Sequence, residues 1–596
     1  MNISEQIVSW LVKKHIDHAF MVTGGGAMFL NQAFGTQKHI KSVFFHHEQA
    51  AAMAADGYYR IADKPAVVIP TTGPGGINTL NGVFGAYTDS VPIIVISGQV
   101  KTETCMTTYP KLNIRQLGDQ EVDIVSMVKG ITKYSKFIKN PKELETELPK
   151  AFDIAVSGRP GPVWLDIPID IQSAKIKLDF KTYSRPKIFN KQLAVNQIKK
   201  LSMSFLKSKR PIILAGTGVR ISGAIESLRN LIETHHIPMA TAWTHDLIES
   251  SHPLFVGRPG TIGTRPGNFA IQNADLVIVI GSRLNIRQIS YNFKSFAKNA
   301  RVFHVDIDQN ELKKPLYKAN FKIHSDVNFF IKEFHKFLKS NKSKKVSDEW
   351  VNYCQKVKND FDVMKENFLE NKKTINPYYA VDKIFNNAKP TDIFVSANAS
   401  ACIIPFQVAK LKRYQRLFSN SGSASMGYDL PAAIGASFAQ RNKRVICFAG
   451  DGSIMMNIQE LQTIASYKLN IIIILMNNDG YLSIKQTHNN FFKNEIGASP
   501  KSKVLFPDFN HLSKSFGINS KRIDTHNQLD NLCKKFDSLN GPLLVNLRLD
   551  TKQEFIPRLK SRIDKNGNFI TPELDDMFPF IEKELLGKVR NEAKNI

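Results

Sequence analysis

The chain has 596 residues, 42 % of them hydrophobic and 22 % charged, which at roughly 150 residues per domain gives three or four units with real cores and excludes a disordered or fibrous protein. Its net charge of +27 comes from 80 Lys and Arg against 53 Asp and Glu. The basic residues are scattered, and their densest run, Lys339 to Lys345, has no aromatic residue to stack on a base, which argues against a nucleic-acid partner.

From the start, "MNISEQIVSWLVKKHI" predicts an amphipathic helix with Ser4 as its cap, not a secretion signal. No apolar run reaches the ~18 residues that cross a bilayer, so no membrane partner is expected. Five widely spaced cysteines (Cys105, Cys354, Cys402, Cys447, Cys533) fit neither a disulfide framework nor a metal-ligand spacing. They imply a reducing compartment, and the expected location is cytoplasmic.

Short apolar runs then alternate with helical-period segments. "KPAVVIP" and "VPIIVISG" read as buried strands joined through the helical "GPGGINTLNGVFGAYTDS". A second series, "RPIILAGTG", "ADLVIVIG" and "ARVFHVDID", has strands that end in Gly or Asp, as ligand-facing strand ends do. A Lys-, Asn- and Glu-rich stretch reads as a helical linker, after which "TDIFVSANAS", "KRVICFAGDG" and "NIIIILMNNDG" restart the pattern. The expected fold class is α/β, with three doubly wound parallel-sheet domains over 1–185, 190–340 and 376–550, a linker over 341–375 and a polar tail over 551–596.

The sharpest site lies in the last series. "RVICFA" is a strand, "IMMNIQELQTIASY" a helix and "IIIILM" a second strand buried on both faces. A right-handed crossover makes the strands parallel and brings Asp451 and Asn478 to one sheet edge. Gly452 and Ser453 open the connecting helix, where free N–H groups favour a phosphate, and the Gly480 carbonyl is a third oxygen donor. Hard oxygen ligands beside a phosphate seat describe a site for Mg²⁺ and a diphosphate. Alone, "GDG" is a turn tripeptide and "NNDG" a loop; Gly450-Asp451-Gly452, then 24 residues, then Asn477-Asn478 is more specific.

That pair resembles the cofactor motif of thiamin-diphosphate (ThDP) enzymes, and blocks spanning roughly residues 1–550 resemble their acetohydroxyacid (acetolactate) synthase branch. His46 to Val100 and Ser157 to Gln172 are similar to the pyrimidine-binding domain, and "GSASMGYDLPAAIGA", Gly422 to Ala436, to the entry of the diphosphate-binding domain. The resemblance implies that Glu48 bonds the aminopyrimidine and helps remove the thiazolium proton, a task suited to a carboxyl in an Ala-rich, desolvated setting. Without the other blocks Glu48 would be a glutamate placed for a helix dipole. The resemblance likewise implies that Met426 supports the cofactor's bend, Gln120 orients intermediates and Gly25, in "VTGGGA", passes near the reactive carbon. His47 reads as a hydrogen-bonded packing residue in preference to a proton donor.

The central domain is similar to one that binds FAD as a structural cofactor in these synthases, with Gly216, Gly263, Arg283 and Asp306 in the matching pieces. Related enzymes keep that Rossmann-like fold without FAD. The chain departs from the family where its diphosphate-side motif is "SANASAC", which leaves Asn398 and Ser400 as polar contacts. It departs again where Asp119 and Thr487 replace aromatic residues, which favours a polar acceptor.

The implied activity is decarboxylation of a 2-oxo acid, pyruvate, and transfer of the acyl unit to a second carbonyl, in a homodimer or homotetramer. The alternatives are the same chemistry onto a keto-sugar or aldehyde, or simple decarboxylation.

Overall fold

The computed structural model describes residues 1–596 apart from 113, 318, 342, 344, 367, 369–372, 442, 564–566 and 568. Three six-stranded parallel sheets carry the chain. The first runs in the order β2-β1-β3-β4-β6-β5, from β1 (His18–Met21), β2 (Lys41–Phe44), β3 (Val67–Ile69), β4 (Ile94–Gln99), β5 (Tyr134–Phe137) and β6 (Val163–Pro168). The second, β12-β11-β10-β7-β8-β9, uses β7 (Pro211–Ala215), β8 (Met239–Thr241), β9 (Phe255–Gly257), β10 (Leu276–Ile280), β11 (Arg301–Asp306) and β12 (Phe321–His324). The third, β14-β13-β15-β16-β18-β17, uses β13 (Ile393–Ser396), β14 (Arg416–Phe418), β15 (Val445–Gly450), β16 (Ile471–Asn477), β17 (Asn519–Ile523) and β18 (Leu543–Arg548). Their central strands are mostly apolar because helices cover both faces of each sheet, with Ser97, Gln99 and Asp166 as buried polar exceptions in β4 and β6.

The first helix, Ile3–Lys13, is capped by Asn2 in a reciprocal capping box with Glu5, not by Ser4. Ser4 is buried, and its hydroxyl donates to the Gln172 carbonyl, 168 residues away. The stretch 341–375 is helical in part and packs against the second domain. Its helix Asp348–Asp360 sinks Trp350, Tyr353, Cys354 and Val357 into the core of the second sheet. Positions 342, 344, 367 and 369–372 of that stretch lie outside the described residues. The polar tail returns to the same core through Leu574, Leu586, Val589 and Ala593.

The first and third sheets share one apolar core, to which Phe20, Val68 and Val95 contribute from one side and Val395, Cys447 and Ile473 from the other. Its seam is the antiparallel contact of helices Glu48–Ala62 and Asp429–Ala439. A Cβ on Gly57 would lie 2.3 Å from the Ala432 carbonyl oxygen, and one on Gly435 would lie 1.9 Å from that of Ala54. Neither backbone can retreat without opening the core, so Gly57→Ala should cost about 1–3 kcal/mol. Calorimetry of the protein without cofactor is expected to show a melting temperature lowered by several degrees, and an unchanged value would mean that the seam yields.

Candidate active site

Strands β13, β15 and β16 lie side by side with their carboxyl ends together, Ser396 opposite Phe448 and Gly450 opposite Met476. Asp451, the residue after β15, is 2 % exposed. Its Oδ2 accepts the N–H groups of Asn478 and Gly480, each at 3.0 Å, and its Oδ1 accepts that of Gly452 at 2.8 Å. The carboxylate thus draws the turn after β16 onto the turn after β15. Burial pushes Asp451 up to about 6 against the pull of those three N–H groups.

Asn478 donates from Nδ2 to the Ser400 hydroxyl at 3.0 Å, while its buried Oδ1 has no partner. An orphaned amide oxygen, near a buried carboxylate that forms no ion pair among the described residues, suits a hard metal ion. The Gly480 carbonyl accepts from Leu482 N–H at 3.0 Å and keeps a second lone pair. Lys485, also buried, donates to the carbonyls of Asn478 and Asp479 and steadies this turn. Among the described residues no cluster of three or more His, Cys, Asp or Glu is assembled. A cation here would take one carboxylate, one amide and one carbonyl oxygen, leaving room for phosphate oxygens.

Around this seat the other expected residues divide. Gly452 lies under the Tyr481 ring, whose Cε1 would be 2.1 Å from a Cβ, so only glycine fits. Gly450 has space for a side chain. The Ser453 hydroxyl accepts Gly427 N–H at 2.9 Å, which ties the loop after the half-buried Met426 to the seat. Asn398 reaches the same loop, donating to the Ala424 carbonyl at 3.4 Å.

A second group gathers at the carboxyl edge of the first sheet. Glu48 opens its helix behind the cap residue His47, whose Nδ1 accepts Gln49 N–H at 3.1 Å. The Glu48 carboxylate, 8 % exposed, accepts from Asn78 Nδ2 at 3.0 Å. Both Glu48 and Gln120 border the segment from Thr71 to Asn78. A Cβ on Gly75 would lie 3.1 Å from Glu48 Oε1, and one on Gly73 would lie 1.9 Å from the carbonyl oxygen of Gln120. Gly24 and Gly26 press on Thr71 and Thr72 while Gly25 faces open space. Glu48, Gln120 and Gly25 therefore ring one segment. Gln120, at φ +60°, is exposed, as are Asp119 and Thr487. The Thr487 hydroxyl turns back onto the Ser483 carbonyl at 2.9 Å.

Among the described residues no hydrogen bond joins Glu48 or Gln120 to Asp451, Asn478 or Gly480, and the helix seam between their domains is closed. Exposed apolar side chains follow each group in the chain: Ile77, Phe84 and Tyr87 on the helices after Thr71, and Met455 and Met456 after Asp451.

Between the first and second sheets lies a cavity of about 510 Å³, lined among others by Arg159, Gly218, His245, Gly281, Arg283 and Asp306. Arg283 and Asp306 both face this cavity. Gly216 and Gly263 are instead close-packing positions, at which a Cβ would strike the carbonyl oxygens of Gly281 and Arg258. Burial pushes Asp306 up to about 6 and His245 down to about 4. Two atoms of lining residues, His245 Nδ1 and Gln288 Oε1, are buried without a partner. A space of this size with unsatisfied polar groups suits a nucleotide-sized ligand.

Nothing in a polar residue within a Gly-rich helix, such as Asn78, or in a lysine on a polar helix, such as Lys485, announces these contacts. Glu460 does carry a signal, since helical spacing places it on the face of the buried Asn457 and Ile464, where a carboxylate is out of place.

Three family models match the chain, all of thiamine pyrophosphate enzymes: the N-terminal TPP binding domain at residues 1–127, the central domain at 198–334 and the C-terminal TPP binding domain at 400–547. Curated relatives include a probable acetolactate synthase large subunit of Methanococcus aeolicus, 32 % identical over 92 % of this chain and 92 % of that protein. Another is the acetolactate synthase large subunit of Cyanidium caldarium, 32 % identical over 93 % of this chain and 94 % of that one. The acetolactate synthase isozyme 2 large subunit of Escherichia coli K12 is 30 % identical over 94 % and 97 %.

Proposed function

The chain belongs to the acetolactate synthase large-subunit family of thiamine pyrophosphate enzymes, and from that premise we propose that it is a ThDP-dependent carboligase acting on pyruvate with Mg²⁺ as its metal. When bound, ThDP would supply a thiazolium ring whose carbon adds to the 2-oxo group and whose cationic nitrogen takes up the electron pair left by CO₂.

The residues fit that group. The observation that carries the metal reading is the unpartnered Asn478 Oδ1 beside the buried Asp451 carboxylate. Asp451, Asn478 and the Gly480 carbonyl would hold Mg²⁺, with the Gly452 backbone giving the diphosphate a close approach. Asn398 and Ser400 border the diphosphate side, and Met426 supports the cofactor between its two ends. Ser453 serves this seat by holding the Gly427 loop, and Gly450 by ending β15 in front of Asp451.

On the other side Glu48, which accepts from Asn78, would share a proton with a ring nitrogen of the pyrimidine. Gln120 orients the substrate-derived carbonyl, and Gly25 leaves space above the reacting carbon. These two groups lie in different domains behind a closed seam, and each is followed in the chain by exposed apolar side chains. Their union across a two-fold axis in a homodimer, or in a tetramer of such dimers, would complete a site from two subunits.

In the central cavity, Arg283 and Arg159 suit the diphosphate of a dinucleotide such as FAD and Asp306 a ribose hydroxyl. Its role would be structural. No described helix is long and apolar enough to cross a membrane.

Incubating the purified protein with ThDP, Mg²⁺ and pyruvate is expected to release CO₂ and form acetolactate, and chelation of the metal should stop both. Absence of CO₂ release would overturn the reading; acetaldehyde as the sole product would reduce it to decarboxylation. Exposed Asp119 beside Gln120, together with Thr487, supports a second reading in which the acceptor is a hydroxylated carbonyl such as a keto-sugar. Buried on assembly, groups of this kind cost about 1–3 kcal/mol each unless water or the acceptor satisfies them. With mixed acceptors at equal pyruvate, the hydroxylated compound should compete successfully against 2-oxobutyrate. Strong preference for 2-oxobutyrate would refute the polar acceptor.

A further inference from the structure

Glu460 is fully buried and has no part in the chemistry above. It opens the helix Glu460–Ser466 of the third sheet's domain, yet its carboxylate serves the first. Oε1 accepts the N–H of His46 at 3.2 Å, the carboxylate also takes that of His47, and Oε2 accepts from the Thr463 hydroxyl at 2.5 Å. His46 and His47 are the two residues that lead into Glu48. Tyr467, which ends the same helix, reaches the same turn from further back, its hydroxyl accepting Phe44 N–H at 3.0 Å.

We propose that Glu460 is a positioning residue: from the third domain it mounts the His46–His47 turn and so sets where the Glu48 carboxylate stands. The proposal rests on Glu48 being the group that shares a proton with the cofactor. Glu48 is the first residue of its helix, so its Cα is placed by the turn before it as much as by the helix after it. The N–H groups at that turn precede the helix and find no helix carbonyl. Burial pushes the Glu460 carboxyl up to about 7, and His46, His47, Thr463 and Gln459 act against that burial. A displacement of about 1 Å at a reacting group can lower a rate by about a hundredfold, so small losses at this mount would be felt in turnover.

The test uses the full-length protein and two readouts. Without cofactor, amide hydrogen exchange of the peptide 44–50 reports the mount directly, and Glu460→Ala should speed it about tenfold with the rest of the chain unchanged. In the loaded enzyme the same variant should lower kcat, and the exchange of the cofactor's reactive C–H proton, by about tenfold to a hundredfold. Pyruvate KM and ThDP Kd should stay within about threefold. Glu460→Gln keeps an oxygen for the two N–H groups and should restore most of the loss. Glu460→Asp keeps the charge but withdraws the oxygens, and should reproduce the kinetic defect; it carries the test if the Ala variant does not fold. Tyr467→Phe leaves Phe44 N–H unpaired further from Glu48 and should leave kcat nearly unchanged.

Wild-type amide exchange and kcat in both Glu460→Ala and Glu460→Asp would overturn the proposal. So would a Tyr467→Phe defect as large as theirs, which would mark a general docking contact. A wild-type protein that neither binds ThDP nor decarboxylates pyruvate would instead bring down the reading of Glu48 itself.

Discussion

Glu48→Gln should slow turnover, and exchange of the bound cofactor's reactive C–H proton, by a hundredfold or more, while fold and cofactor affinity stay close to wild type. The amide has nearly the shape of the carboxylate, and its carbonyl oxygen can still accept from Asn78 Nδ2, which now bonds Glu48 at 3.0 Å. The lost charge at the first position of a helix is worth about 0.3–1 kcal/mol, so the melting temperature should fall by a few degrees at most. What the amide cannot do is share a proton with a ring nitrogen, and general acid–base assistance of that kind contributes about a hundredfold to ten-thousandfold. Proton exchange followed by NMR after acid quench checks the step apart from later ones. Exchange within about threefold of wild type would remove Glu48 from the proton path. The Glu48→Gln defect should also exceed that of Glu460→Ala, since one removes the reacting group and the other moves it.

Strands such as β3, β10 and β16 were legible in the sequence because they are buried on both faces and read as unbroken apolar runs. Edge strands were not. β17 reads Asn-Ser-Lys-Arg-Ile and shows one buried residue in five, since a strand paired on one side needs little apolar surface. The helix expected over "IMMNIQELQTIASY" is divided into Asp451–Ile454, a 3-10 turn at Met455–Asn457 and Glu460–Ser466. At the break the Asn457 side chain leaves the helix pattern to donate to the Gly427 carbonyl at 2.7 Å, a contact thirty positions distant that periodicity does not register.

The same distinction runs through the site. Asp451 and Asn478 stand at strand ends, where topology alone dictates that they meet. That Gly452 also makes room for the Tyr481 ring is a contact local sequence does not indicate. Asn2, three residues ahead of Glu5, caps the first helix, whereas Ser4 answers to Gln172, a partner no local rule indicates.

Asp451→Ala and Asp451→Asn should both abolish the cofactor's effect on stability and leave carboligation below detection, but they should differ without cofactor. In the wild type, ThDP and Mg²⁺ at about a hundred times Kd add about 2.7 kcal/mol to stability, which appears as a rise in melting temperature. Both substitutions remove the charged oxygen donor, and a hard cation deprived of it leaves only the neutral Asn478 amide and Gly480 carbonyl. Alanine also releases the three N–H groups of Gly452, Asn478 and Gly480 that the carboxylate now accepts, so the protein without cofactor should be less stable by about 1–3 kcal/mol. Asparagine keeps an oxygen for the Asn478 and Gly480 N–H groups but turns its amide nitrogen towards the Gly452 N–H, which is left without an acceptor. Its melting temperature without cofactor should lie between those of the wild type and the alanine variant. Thermal melts of the three proteins, each with ThDP plus Mg²⁺ and with ThDP plus chelator, separate the turn-holding role of Asp451 from its metal role. A full cofactor-induced rise in Asp451→Asn would place the diphosphate away from β15, and the geometry of Asn478 would then need another occupant.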